Sequence, residues 1–131
     1  MGTPTEIFQR YTYSSAMRRD AVAVAEMFTP DGVLETPLAP AGGAFPPVMA
    51  GRDAIRAGLA AYYARTAGTE RPVDLERSRF VVHATADPDV FVVEIDPVFV
   101  DGGTLPMVKI FRMRGGLIAS LRDYFHPDYA V

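Results

Sequence analysis

Up to about residue 65 the apolar positions recur at helical spacing; from Val73 onward they alternate with a period of two. Thr3-Pro4-Thr5-Glu6 reads as a helix start, with proline in the first turn, where its missing N–H costs nothing. Ile7, Phe8, Tyr11 and Ser15 then share one face. Asp20 reads as the N-cap of a second helix, AVAVAEMF, with Val22, Ala25, Met27 and Phe28 as its apolar face. Thr29-Pro30-Asp31-Gly32 signals a turn, and Val33–Pro37 a short strand. Leu38–Ala50 holds three prolines and two glycines and is expected to be a loop long enough to be functional. Gly51-Arg52-Asp53 opens a third helix carrying Ile55, Leu59, Tyr62 and Tyr63.

Four strands are expected after that, at about Val73–Thr85, Val90–Val100, Thr104–Arg114 and Leu117–Phe125. Asp87-Pro88-Asp89, Asp101-Gly102-Gly103 and Gly115-Gly116 connect them, and such short turns suit antiparallel hairpins. Helices first and a hairpin-linked sheet last give an α+β class. Length agrees with one domain over residues 1–131, because 131 residues suit a single core. Both faces of the late strands are largely apolar. The helices can cover one; a second copy of the chain, in a homodimer, is expected to cover the other.

Charge narrows the function classes. A net charge of −3, with no dense basic cluster, argues against nucleic acid. The absence of cysteine removes disulfides, thiolate metal sites and cysteine nucleophiles. Residues 1–20 hold no apolar run of signal-peptide length and no segment is long enough to span a bilayer, so the cytoplasm is the expected compartment and no membrane partner is expected. His83 and His126 are the two histidines and do not stand at ligand spacing, so no metal is expected. No glycine elbow surrounds Ser14-Ser15, so no hydrolase nucleophile is expected; no phosphate-cradling glycine loop is present, and no cofactor is expected.

The unusual residues are acids inside apolar strands. In LRDYFHP, Asp123 shares its side of the strand with Leu121 and Phe125. In FVVEIDP, Glu94 and Asp96 share a face with Val92. Burying a carboxylate costs several kcal/mol unless it is paired or hydrogen-bonded. Lining a cavity would explain all three, and acids that converge split their pKa values into an acid and a base. Ion pairing with Lys109, Arg112 or Arg52 would explain them equally well.

These segments together resemble a known family. MFTPDGVLETPLAP (Met27–Pro40), GRDAIRAGLAAY (Gly51–Tyr62), ADPDVFVVEID (Ala86–Asp96) and MVKIFRMRGGLIASLRDYFHP (Met107–Pro127) are similar to the SnoaL-like branch of the nuclear transport factor 2-like superfamily. The resemblance implies a curved antiparallel sheet wrapped around N-terminal helices, a cone-shaped pocket, and dimerisation through the outer sheet face. Relatives include ketosteroid isomerases, limonene epoxide hydrolases, polyketide cyclases, dehydratases, phenazine-pathway proteins and non-catalytic binders. Gln9-Arg10-Tyr11 looks like the isomerase segment whose tyrosine donates to the oxyanion, but the isomerase's base falls on Thr36 and its second acid on Lys109. Against the epoxide hydrolase, Asp96 and Asp123 match the two aspartates; Glu94 replaces the arginine between them, and Leu34 and Thr36 replace the residues that hold water. Leu105, Met107, Leu121 and Phe125 fall on apolar pocket positions.

The expectation is therefore a cofactor-independent acid–base enzyme for a small, apolar, oxygenated molecule, possessing isomerase, cyclase, dehydratase or epoxide-opening chemistry. Asp123 and Asp96 would act as acid and base, Tyr11 as donor, and Glu94 and Lys109 beside them. Leu34, Thr36, Tyr62, Leu105, Met107, Leu121 and Phe125 would line the pocket. The alternatives are a non-catalytic binder with the same cavity and a structural dimer module.

Overall fold

The computed structural model describes residues 2–130. Helix α1 (Pro4–Thr12) starts at a capping box in which the Thr3 side chain accepts from the Glu6 backbone and the Glu6 side chain accepts in return. It buries Ile7, Phe8 and Tyr11 and runs directly into one π-helical turn, Tyr13–Met17. Helix α2 (Ala21–Glu26) is capped by Asp20, whose side chain accepts from Ala23 N at 3.0 Å. Its buried face is Ala21, Val24 and Ala25, while Val22 is exposed. Ala25 and Phe28 of the expected face are buried and Met27 is half-buried, while Ala21 and Val24 take the place of Val22. Helix α3 (Arg52–Arg65) follows Gly51 and buries Ile55 and Leu59.

Six strands form one sheet in the order β2-β1-β6-β5-β4-β3. They are β1 (Phe28–Glu35), β2 (Val48–Ala50), β3 (Arg79–Ala84), β4 (Val90–Asp96), β5 (Met107–Arg114) and β6 (Leu117–Tyr124). The β3-β4-β5-β6 meander is antiparallel as expected, and Gly115 and Gly116 make its last turn with positive φ (60° and 83°). The sheet as a whole is mixed, however, because β1 pairs with β6 in parallel. The segment read as a turn, 29–32, lies inside β1, where the register shifts between Phe28 and Val33. Part of the long loop pairs instead as β2. Pro97, which cannot donate to a ladder, ends β4 early. Val73 makes only an isolated bridge to Phe99.

The helices cover the inner, concave face. Phe28, Leu34, Phe91, Val93, Phe111, Ile118 and Leu121 pack there against α1, α2 and α3. Ile118 reaches this face because Ala119 is a bulge: Met113 pairs with Ile118, and Arg112 with Ser120. That extra residue breaks the simple alternation expected for β6.

Candidate functional site

The strand register decides which acids face inward. Val93 of β4, Lys109 of β5 and Asp123 of β6 form one cross-strand row on the inner face. Lys109 Nζ donates to Asp123 Oδ2 at 2.6 Å, and the two side chains are only 10% and 11% exposed. An ion pair explains how two charges tolerate an apolar face. Asp123 Oδ1 is also buried, and it has no hydrogen-bond partner.

Tyr11 packs in the core beside this pair, from α1, and is not part of the cavity lining. Its ring lies edge-on to Phe28 and Phe111, with centroids 6.5 and 5.8 Å away, and Lys109 Nζ is 5.7 Å from its centroid. Burial pushes the Tyr11 phenol well above its usual pKa, and the charge of Asp123 adds to the effect. The hydroxyl therefore keeps its proton and can act only as a donor or a neutral acceptor.

A cavity of about 490 Å³ opens above Lys109. The end of α1 and the π turn form one wall, and β3 with residues 97–107 forms the other. Its lining is mostly apolar, with Phe8, Phe80, Phe99, Leu105 and Met107 contributing. Lys109 is the buried charge of this lining; Arg79, the other ionic group, is exposed at its edge. Ser15 and Ser78 also line it, but their hydroxyls are taken: Ser15 Oγ donates to Tyr11 O at 2.7 Å, and Ser78 Oγ donates to Asp74 O at 2.7 Å. Gln9 and Thr12 complete the polar lining.

The expected convergence of three acids is corrected by this register. Glu94 and Asp96 lie on the outer face, opposite to Val93 and Ile95, because Glu94 pairs with Val108 and Tyr124 in the next row. Glu94 is exposed there and bonds His83 Nε2 at 2.7 Å, which also places His83 outside. Asp96 and Glu94 border a second hollow of about 420 Å³, together with Tyr124, Phe125 and His126. Phe125 thus lies in that hollow, packed with Ala39 and Phe45.

Leu105 and Met107 line the inner cavity, and Met107 also borders the outer hollow. Leu34, Thr36 and Leu121 are instead sealed in the core, at 0–1% exposure. Thr36 spends its hydroxyl on Pro46 O at 3.1 Å, so it faces the loop rather than a ligand. Tyr62 packs on Phe45 and Tyr63, away from the cavity. The cavity residues missed in the sequence are chiefly Gln9, Thr12 and Phe99. Gln9 and Thr12 are polar positions of α1 that no local signal turns toward a cavity, and Phe99 lies beyond the proline that ends its strand.

Residues 8–121 match the sequence model of the SnoaL-like domain. The chain belongs to this family. Among curated proteins no sequence matches. Solved structures do. One is a protein proposed as an isomerase from Bacillus subtilis, with TM-score 0.69 and 22% identity, covering 94% of this chain and 86% of that one. Another is a protein of ketosteroid isomerase-like fold from Catenulispora acidiphila, in complex with trimethylamine; its TM-score is 0.65 at 20% identity, covering 98% and 91%. A third is TerC, co-crystallised with polyporic acid, with TM-score 0.66 and 18% identity, covering 95% and 92%. These likenesses establish the nuclear transport factor 2-like fold of this SnoaL-like chain. No helix among its described residues is long and apolar enough to cross a membrane.

Proposed function

We propose that this SnoaL-like protein is a cofactor-independent acid–base enzyme acting on a small, largely apolar, oxygenated molecule held over Lys109. The observation that carries the reading is the buried Lys109–Asp123 pair beside an apolar cavity of about 490 Å³. An ammonium in a water-poor site stabilises negative charge that develops on a substrate oxygen. With Glu94 and Asp96 outside, Asp123 is the carboxylate of the inner site, and its unpartnered Oδ1 is the atom able to take a proton. In an isomerisation, Asp123 would remove a proton from carbon next to a carbonyl. The electron pair would move onto the oxygen held by Lys109, and the proton would return at another carbon. Tyr11, kept neutral by burial, would stay uncharged beside Lys109; it does not line the cavity. Such proton transfer contributes about 10²–10⁴-fold in rate. The co-crystal of TerC with polyporic acid supports a pocket of this fold taking an oxygenated organic molecule.

Deuterium exchange tests this without knowledge of the substrate. Small cyclic ketones in D₂O should exchange their α-protons faster with the wild-type protein, and Asp123→Asn should abolish the gain. No acceleration by the wild type, or full acceleration by the variant, sinks the mechanism.

A second reading has its own support. Neither Asp123 nor Tyr11 is part of the cavity lining, where Lys109 is the buried charge, which suits a non-catalytic binder. Saturable ketone binding with no exchange would favour it. On either reading we take the chain to be a cytoplasmic homodimer joined through the outer sheet face, where Val81 is exposed and Val92, Val108, Ile110 and Tyr124 are half-buried.

A further inference from the structure

The ligand's shape can be taken further, on the footing of the cavity reading above. Among the described residues ten large apolar side chains are exposed, and five of them line this one cavity: Tyr13, Met17, Val73, Leu75 and Phe80, at 38–62% exposure. A side chain that both lines a cavity and is exposed stands at its mouth. Tyr13 and Met17 come from the π turn, while Val73, Leu75 and Phe80 face them from the other wall. Exposed apolar residues scattered singly need no explanation, but a ring of them around one opening does.

The polarity runs the unusual way. The mouth is mostly apolar, with Gln9 and Arg79 as its exposed polar members, whereas the buried charge, Lys109, lies at the inner end. One N–H of its ammonium is engaged by Asp123, which leaves donors for a ligand oxygen. A compact polar ligand would satisfy Lys109 and leave the rim in water. A molecule with its oxygen inside and an apolar body long enough to reach the rim satisfies both ends.

We infer that the natural ligand is an extended amphiphile. It enters oxygen first, its carbonyl or hydroxyl accepting from Lys109 and its hydrocarbon tail leaving between Met17 and Leu75. The rim is a binding surface for that tail, continuous with the cavity.

A chain-length series separates this from simple cavity binding. Straight-chain methyl ketones from 2-hexanone to 2-dodecanone are titrated into the full chain, and dissociation constants are read from amide NMR shifts. Affinity should rise about three- to fourfold per methylene through the longest members. Met17→Ser and Leu75→Ser, at positions more than half exposed, should weaken 2-dodecanone about tenfold and leave 2-hexanone unchanged. Lys109→Met should weaken every member by a similar factor. Affinity that stops rising at 2-hexanone, or rim variants with no effect on long ketones, overturns the inference while the cavity reading stands. No effect of Lys109→Met on any ketone overturns the oxygen-first orientation. A rim variant that changes the oligomeric state and not ketone binding makes the rim a protein interface and overturns the inference too. If even 2-hexanone fails to bind, both readings fall together.

Discussion

Lys109 and Asp123 stand directly opposite each other on neighbouring strands, ammonium to carboxylate at 2.6 Å, with the second carboxylate oxygen buried and unpartnered. The arrangement makes each charge depend on the other. Removing one partner leaves an uncompensated charge in the core, which costs about 3–5 kcal/mol, whereas replacing both with apolar groups is often neutral or stabilising. Lys109→Met should therefore lose about that much in urea unfolding, and Lys109→Met with Asp123→Leu should recover most of it. A double-variant loss equal to the sum of the Lys109→Met and Asp123→Leu losses would show that the pair is not coupled.

Outer acids should be dispensable for inner chemistry. Glu94 and Asp96 project from the face opposite to Lys109. Glu94→Gln and Asp96→Asn are expected to leave ketone affinity and deuterium exchange within about twofold of wild type, whereas Asp123→Asn removes exchange. A loss of exchange in Asp96→Asn would mean that this acid reaches the reacting atoms after all. The surface cost of either substitution should be small, since exposed ion pairs contribute about 0–1 kcal/mol.

Those two acids also mark where the sequence was legible and where it was not. Alternation in FVVEIDP correctly separates Val93 from Glu94, but it cannot say which side the helices cover. That choice is made by tertiary packing, through Phe91 and Val93 against the core. Asp123 was legible because its strand neighbours Leu121 and Phe125 are apolar and because Lys109 shares its parity. The helices and the meander followed from period and turn chemistry. The parallel β1–β6 pairing did not, since Pro30 and Gly32 read as a turn and a bulged strand carries no other local mark. The π turn, which shapes the cavity wall, was equally silent: its residues YSSAM fit any helix.

Arg19 ties the helical layer together at a conformational cost. Its backbone is left-handed (φ 50°), yet its guanidinium donates to Tyr63 O at 3.1 Å, bonds the Thr66 hydroxyl, and lies 4.8 Å from the Tyr63 ring centroid. Arg19→Ala keeps the strain and loses the contacts. Arg19→Gly loses the contacts but relieves about 1–2 kcal/mol of left-handed strain. Net hydrogen bonds to charged groups contribute about 1.5–3 kcal/mol, so Arg19→Ala should be clearly destabilising and Arg19→Gly markedly less so. Thermal or urea unfolding of the two variants checks the order, and the reverse order would refute it.

Buried phenols give the protein an alkaline limit. Burial pushes Tyr63 up to about 12 and Tyr11 well above 10, both from an ordinary value of 10.0. Above pH 10 the unfolded chain gives up these protons before the folded one does, so the unfolded state binds fewer protons and stability falls as pH rises. The contribution of each phenol is complete below pH 10. For Tyr63 it is lost progressively between pH 10 and about 12, at up to about 1.4 kcal/mol per pH unit. Urea midpoints measured from pH 9 to pH 11.5 should therefore drop, and the slope should shrink in Tyr63→Phe and again on adding Tyr11→Phe. In parallel, phenolate absorbance should show tyrosines that ionise only as the chain unfolds. A pH-independent midpoint across that range would mean that neither hydroxyl is held neutral by the fold, and Tyr11 would then lose its standing as the neutral phenol beside Lys109.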